Sequence, residues 1–202
     1  MDFNALTREM GTEETPQLVK HLLALGMEDR RLRFGHVLSD DGIRKYVAEI
    51  DMSRDVVFVV TDAELDIIGA AHLARRADHA ELGISVHSDR KGRGIGTALL
   101  ERCTARVRNW GVRVLFMNCL VENATMMHLA RKQGLKIAVS GTDAEAFVRL
   151  PRGDLSSLAA ETVAEHLGLF DYALKSSWLA LQGRHPALAM SPKPRPDTGA
   201  SG

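Results

Sequence analysis

Residues 84–103 read ISVHSDRKGRGIGTALLERC: a strand-like apolar run, a knot of cations and glycines, and the start of a helix-like run. Beyond the loop, Ile95, Leu99, Cys103, Val107 and Trp110 recur at helical spacing, and Gly111 is placed to end that helix in a left-handed C-cap. A helix N-terminus presents N–H groups without intrahelical partners and roughly half a positive charge, so it attracts anions. Gly92, Gly94 and Gly96 let backbone approach a ligand, and Arg90, Lys91 and Arg93 add full charges. A phosphate-bearing ligand is the economical expectation. The P-loop pattern GxxxxGK[ST] is absent. The dinucleotide pattern GxGxxG also fails, because counting from Gly92 or Gly94 its last glycine falls on Thr97 or Leu99.

Upstream, VVFVV from Val56 and IIGAAHLA from Ile67 read as a hairpin, and AELGISV from Ala80 as the third strand of a meander. Earlier still, FNALTRE suits a short edge strand. Thr15-Pro16 opens one helix, and Ser39 caps a second that carries Ile43, Val47 and Ile50. The stretch RRLRFGH between them alternates charge with bulk. Downstream come a strand (VRVLFMNCLV), a helix capped by Asn123 and stopped by Gly134, and a closing hairpin of LKIAV and AFVRL. The expected order is β-α-α-β-β-β-α-β-α-β-β over residues 1–150. Residues 151–184 follow as a helical extension. The proline-rich residues 185–202 read as a disordered tail.

The composition bounds the function. A length of 202 residues with 45% apolar and 26% charged residues is globular usage, and Lys plus Arg equal Asp plus Glu at 26 each. No overall field calls for nucleic acid or an anionic membrane, so electrostatics must act locally. The two cysteines, Cys103 and Cys119, form no metal-binding pattern and read as core packing. No run approaches the ~18 apolar residues of a membrane span, and a cytoplasmic location is the default expectation.

Together the strand, KGRGIGTALL, the following helix and strand, and NATMMHLARKQGL resemble the GNAT superfamily of acyl-CoA-dependent N-acyltransferases. That family's loop motif is Gln or Arg, two residues, Gly, one residue, Gly or Ala; Lys91-Gly92-Arg93-Gly94-Ile95-Gly96 fits it with Lys in first place. Its later motif, an Asn before a helix that ends in Gly and an apolar residue, fits Asn123 to Leu135. The resemblance covers about residues 1–150. It implies an α/β fold with a mixed, mostly antiparallel central sheet flanked by helices. EDRRLRFGH and AELGISV look most like the domains that act on protein lysines.

The resemblance also implies a cosubstrate, acetyl-CoA. The backbone N–H groups of Arg93, Gly94, Ile95, Gly96 and Thr97, with Lys91 and Gly92 in the same loop, are expected to hold its diphosphate. Ile84, Ser85 and Val86 are expected to pair strand-like with the pantetheine amides, and Asn123 to contact the pantetheine arm. The implied reaction is acetyl transfer to a primary amine, a small molecule or a protein lysine or N-terminus, by direct attack in a ternary complex. No metal is implied.

Such a reaction must strip a proton from an amine of pKa ~10.4, at a cost of roughly 4 to 5 kcal/mol at pH 7, and must stabilise an oxyanion. Strand alternation puts Glu81, Gly83 and Ser85 on one face and Leu82, Ile84 and Val86 on the other. Glu81 is therefore the candidate base, with an exposed carboxylate or a partner for Arg75 or Arg76 as the structural alternative. Two familiar positions of the family are filled otherwise. Asn118 stands where relatives often have Glu, and Ala130 where they often have Tyr. His128 is read as a surface histidine, and His72 and His79 as structural or exposed. These substitutions keep open a second expectation, a catalytically silent acyl-CoA-binding sensor. Pairing of the C-terminal extension with a second copy of the chain is a third, compatible with either.

Overall fold

A computed structural model describes residues 5–140, 143–151 and 153–184. The expected tail, 185–202, lies outside the described residues. The elements are β1 (Arg8–Glu9), α1 (Thr15–Leu23), α2 (Met27–Phe34), α3 (Asp40–Ala48), β2 (Val56–Thr61), β3 (Ile67–Arg75), β4 (Ala80–Val86), α4 (Ile95–Asn109), β5 (Val114–Leu120), α5 (Ala124–Lys132), β6 (Lys136–Ser140), β7 (Asp143–Arg149) and α6 (Leu155–Leu181). A seven-stranded sheet runs β1-β2-β3-β4-β5-β7-β6, antiparallel except where β4 meets β5.

The run VVFVV is apolar throughout because both faces of β2 are covered. Val56, Phe58 and Val60 pack with Leu99, Leu100, Cys103 and Val107 of α4, while Val57 and Val59 pack with Leu18 and Leu22 of α1 and Ile43 and Val47 of α3. The sheet is thus sandwiched between two helical layers. Helix α4 seats closely on β3, where a Cβ at Gly69 would lie 2.5 Å from Ile95 Cγ2. At about 25 cal/mol per Å² of apolar surface, this two-sided burial is the main stabilising term.

One element departs from the sequence expectation. Residues 27–34 form a third early helix, α2, inside a stretch expected to link two. None of its residues is fully buried, and Glu28, Asp29, Arg30, Arg31 and Arg33 leave no apolar stripe for periodicity to register. Tertiary bonds hold it instead: Arg30 donates to Leu25 O at 3.0 Å, Leu23 O at 2.7 Å and Asp40 Oδ1 at 2.7 Å.

Pro151 precedes the extension, and Asp154 caps α6 by accepting from Ser157 N at 2.8 Å. The helix docks on α4 and β1. Arg102, whose side chain is only 3% exposed, donates to Glu165 Oε2 at 2.6 Å and to Glu161 O at 3.0 Å, and Arg106 also engages Glu161. A Cβ at Gly168 would lie 2.3 Å from Thr7 O, so only glycine permits this approach to the β1 edge. Among the described residues no helix is long and apolar enough to cross a membrane.

Candidate active site

The site grows out of one irregularity in the sheet. Strands β4 and β5 pair in parallel only at Ala80–Leu115 and Glu81–Phe116 and then separate. On its other edge β4 stays paired with β3 up to Val86–Gly69, and His87 N donates to Ile68 O at 3.0 Å. In an antiparallel ladder, residues alternate in which neighbour their backbone groups face. With His87 bonded to β3, the odd residues of β4 also turn toward β3, while Leu82, Ile84 and Val86 turn their N–H and C=O groups into the gap beside β5. The strand therefore presents an unpaired backbone edge.

A cavity of about 500 Å³ opens along that edge, lined by Leu82 to Val86, the loop before α4, Met117 and Cys119 of β5, and Asn123 and Met126 at the start of α5. At its polar end Gly92 (φ +77°) and Gly94 (φ +78°) adopt the left-handed conformation that glycine tolerates best. Gly94 is the N-cap of α4, so no side chain caps the helix, and no acidic residue occupies its first turn. The contrast with α3 and α5 is instructive, because there Ser39 and Asn123 each accept a bond from a first-turn N–H. The start of α4 is left open to an anion.

The expected cofactor residues are partly regrouped. Lys91, Gly92, Gly94, Ile95, Gly96 and Thr97 line the cavity, as do Ile84, Ser85, Val86 and Asn123. Arg93 is exposed and its side chain does not line the cavity. The cationic knot is also weaker than its sequence suggests, since Lys91 pairs with Asp29 of α2 at 2.5 Å and Arg90 with Asp89 at 3.1 Å. Burial opposes ionisation of Asp29, yet bonds from Lys91 and Ser88 hold its carboxyl below the usual range. Ser85 offers a ligand in the gap neither its hydroxyl, which is turned into the α1 layer beside His21 Nε2 at 2.8 Å, nor its backbone groups, which face β3, so of the expected trio only Ile84 and Val86 present their backbone there. His21 Nδ1 meets Ile67 O at 2.9 Å. Burial, aided by the stacked His87, pushes the His21 pKa down to about 3, so His21 is a neutral strut. Asn123 spends its Oδ1 on the α5 cap, 3.1 Å from Met126 N.

A second cavity of about 510 Å³ lies on the face of β4 that carries Glu81 and Gly83, and it shares Arg33, Leu82, Gly83 and Cys119 with the first. Glu81 sits on its wall, 46% exposed, accepting from Arg76 Nη2 at 3.0 Å and lying 3.3 Å from His79 Nε2. Asp78 bonding raises the His79 pKa.

A chain of hydrogen-bonded side chains not assigned to the site from the sequence lies beside it. His72, opposite Gly83 in the β3–β4 register, places Nε2 3.3 Å from Asp55 Oδ2 and Nδ1 2.7 Å from the Tyr46 hydroxyl, which in turn accepts from Arg33 Nη2 at 2.9 Å. Asp55 is 5% exposed and also accepts from Arg75 N. Burial, and then the charge of Arg33, lowers the pKa of His72 and keeps it neutral, so its Nε2–H faces the carboxylate and its bare Nδ1 accepts from Tyr46. The available signal was strand parity: in a hairpin that pairs Gly83 with residue 72, His72 shares the face of Glu81 and Gly83.

The family model described as the acetyltransferase (GNAT) family matches residues 18–135. The chain belongs to that family. Among solved structures, the GNAT domain of S. lividans PAT superposes with a TM-score of 0.62 at 21% identity, covering 71% of this chain and 89% of that one. PaiA N-acetyltransferase from Thermoplasma acidophilum, solved in complex with coenzyme A, gives 0.56 at 16% identity, over 71% of this chain and 98% of its own. Ribosomal-protein-alanine N-acetyltransferase from Brucella melitensis gives 0.54 at 18%, over 72% and 99%. These likenesses carry the GNAT fold: a mixed, mostly antiparallel sheet between two helical layers, here followed by α6. Ala130, at the position where the family often has Tyr, is fully buried in the core, and His128 is exposed on the rim of the first cavity.

Proposed function

We propose that the protein is an N-acetyltransferase that binds acetyl-CoA along the first cavity and a primary amine in the second. The observation that carries this is the convergence of an uncapped α4 N-terminus and the unpaired edge of β4 on one cavity, in a member of an acetyltransferase family. First-turn N–H groups of α4, through Thr97, are placed for a diphosphate. The Leu82, Ile84 and Val86 edge suits the two amides of pantetheine, and Asn123 flanks the arm. The coenzyme supplies an acetyl group activated as a thioester. An unpaired β4 N–H at the gap is available to the oxyanion that develops on its carbonyl. A thiolate of pKa ~8.5 leaves without a protein acid, so the buried Ala130 is no obstacle.

The amine's proton must pass to the face of β4 and β3 that walls the second cavity. Glu81 is one acceptor there. The Tyr46–His72–Asp55 chain is the other, favoured by its geometry: Tyr46 Oη can accept from an ammonium while handing its own proton to His72 Nδ1, whose other nitrogen faces Asp55. Use of acetyl-CoA, together with two buried thiols, fits a cytoplasmic protein.

The test is calorimetric titration with coenzyme A, followed by thiol release from acetyl-CoA over a panel of amines and lysine peptides. Binding with turnover supports the enzyme. Binding without turnover on any amine identifies a silent acyl-CoA-binding module, and absence of binding removes both readings.

We also read the outer face of α6 as a self-association surface. Over its first half the inner face is small or polar (Ser157, Glu161, Glu165, Gly168), with Leu179 buried near its end, whereas Val163, Leu167, Phe170, Leu174 and Leu181 are exposed at alternating spacings near 3.5 residues. That is the seam of a paired helix. Light scattering should report a dimer that Leu167→Glu with Phe170→Glu converts to monomer; a wild-type monomer sinks this reading.

A further inference from the structure

Arg33, at the C-terminal end of α2, lies where the two cavities meet. Its guanidinium rests flat against β4, since a Cβ built on Gly83 would fall 2.1 Å from Arg33 Cζ. It stacks near the Phe34 ring, 4.8 Å away, and donates from Nη2 to Tyr46. Its Nε is buried without a hydrogen-bond partner, and among the described residues no carboxylate lies within ion-pair distance of it. Arg8, Arg30, Arg102 and Arg106 are neutralised by Glu14, Asp40, Glu165 and Glu161, and Arg108, whose Nε is likewise buried without a partner, lines neither cavity. A guanidinium left with spare donors beside a cavity is an unfilled anion receptor.

The surroundings narrow the anion. Arg76, the second cation of the acceptor cavity, is engaged by Glu81 and Asp55, so one charge remains to be matched, which suits a monoanionic carboxylate better than a phosphate dianion. Phe34, Phe116, Ala74 and Leu120 make the other walls apolar.

We propose that Arg33 holds a carboxylate on the acceptor, and that the acceptor is a small amino-carboxylate with an apolar substituent, its amine directed at Tyr46 and the thioester. This rests on the acetyltransferase reading above. It explains Gly83, whose missing side chain is filled by the guanidinium and not by substrate alone. It also couples recognition to chemistry. The Arg33 charge is one of the influences that keep His72 from taking a proton, so a bound carboxylate that neutralises it makes His72 a better acceptor. The ammonium proton then moves to Tyr46 Oη as the Tyr46 proton moves to His72. The amine forms its C–N bond as the C–S bond breaks, the thiolate takes the electron pair, and the amine's second proton goes to the thiolate or solvent.

The experiment compares kcat/KM for L-phenylalanine and L-leucine with their amides at saturating acetyl-CoA, in wild type, Arg33→Gln and Gly83→Ala. A charge-assisted fork of ~1.5–3 kcal/mol predicts that wild type prefers each acid over its amide by roughly 10- to 150-fold. Arg33→Gln should bring the ratio near one while coenzyme A affinity stays within about twofold. Gly83→Ala, which displaces the guanidinium without removing it, should fall between. Equal use of acids and amides by wild type overturns the proposal, as does an Arg33→Gln variant whose loss is in coenzyme affinity with the ratio intact. Titration of N-acetyl-L-phenylalanine into wild type and Arg33→Gln reads the subsite without turnover. If coenzyme A fails to bind, the acetyltransferase reading falls alone, and heat from this probe that Arg33→Gln abolishes still supports the carboxylate site. No heat with wild type, loaded or free, overturns it.

Discussion

The two cavities, proposed as donor and acceptor sites, share a wall at Leu82, Gly83, Cys119 and Arg33, yet they are built from different material. The donor side is backbone: glycines at positive φ, an uncapped helix, and a strand edge left open by its neighbour's divergence. The acceptor side is side chains from α2, α3, β3 and β4 that meet only once the sheet and its α1–α3 layer are assembled. Backbone chemistry is indifferent to most substitutions, whereas a chain such as Arg33–Tyr46–His72–Asp55 fails if one member changes. One coenzyme can thus be kept while the acceptor is varied.

The largest expected effect breaks the acceptor side alone. His72→Asn keeps an acceptor for the Tyr46 hydroxyl but cannot hold a proton, so kcat should fall by ~10²–10⁴ with coenzyme affinity unchanged. Glu81→Gln run beside it decides which proton acceptor dominates, since the variant with the deeper loss in thiol release marks the base. If His72→Asn weakens coenzyme binding as much as turnover, the two cavities are not separable.

The reciprocal break is Gly94→Pro. Proline cannot take φ +78°, so the loop must reshape and the α4 N–H groups lose their aim. With charge-assisted bonds worth ~1.5–3 kcal/mol each, losing one or two predicts a drop in coenzyme A affinity of about 100-fold by calorimetry. Binding of N-acetyl-L-phenylalanine should persist.

The same division decided what the sequence could disclose. Most of the polar part of the first cavity lies in one continuous stretch, residues 84–97, whose glycines and periodicity need no tertiary knowledge, whereas the opening beside β4 depends on where β5 diverges. Arg33, Tyr46 and His72 are scattered over three elements, and α2 hid because its residues are charged and its contacts are bonds to distant carbonyls. Strand position points to Ser85, but its hydroxyl bonds His21 in the α1 layer, which no local pattern reveals. For α6 the sequence showed a helix, but not which face is inward. Its inner face is polar at Glu161 and Glu165, where it meets Arg102 and Arg106 of α4, against the usual apolar-inward pattern, and turns apolar only at Leu179.

That docking gives a control remote from both cavities. Glu161→Ala removes one partner of Arg102 and Arg106, which keep Glu165 and Glu9, and should cost about 1–2 kcal/mol in urea unfolding. Coenzyme affinity of the folded variant should match wild type. A change would mean that α6 reaches the site through α4.

The smallest effect probes a strut behind the first cavity, between α1 and strands β3 and β4. His21 stacks on His87 just before the loop and bonds Ser85 on the strand, and it is neutral in the folded protein with a pKa of about 3. Unfolded, it titrates near ~6.5, so above that pH both states are neutral and it contributes no pH dependence. As pH falls below ~6.5 the unfolded chain takes a proton that the folded protein refuses, and stability declines by up to ~1.4 kcal/mol per pH unit until the folded pKa is reached. Urea midpoints between about pH 6 and pH 4.5 should therefore fall less steeply for His21→Gln, which keeps the bonding groups but cannot titrate. Equal slopes would mean that water reaches His21, and that the α1 layer behind β3 and β4 is packed more loosely than its burial implies.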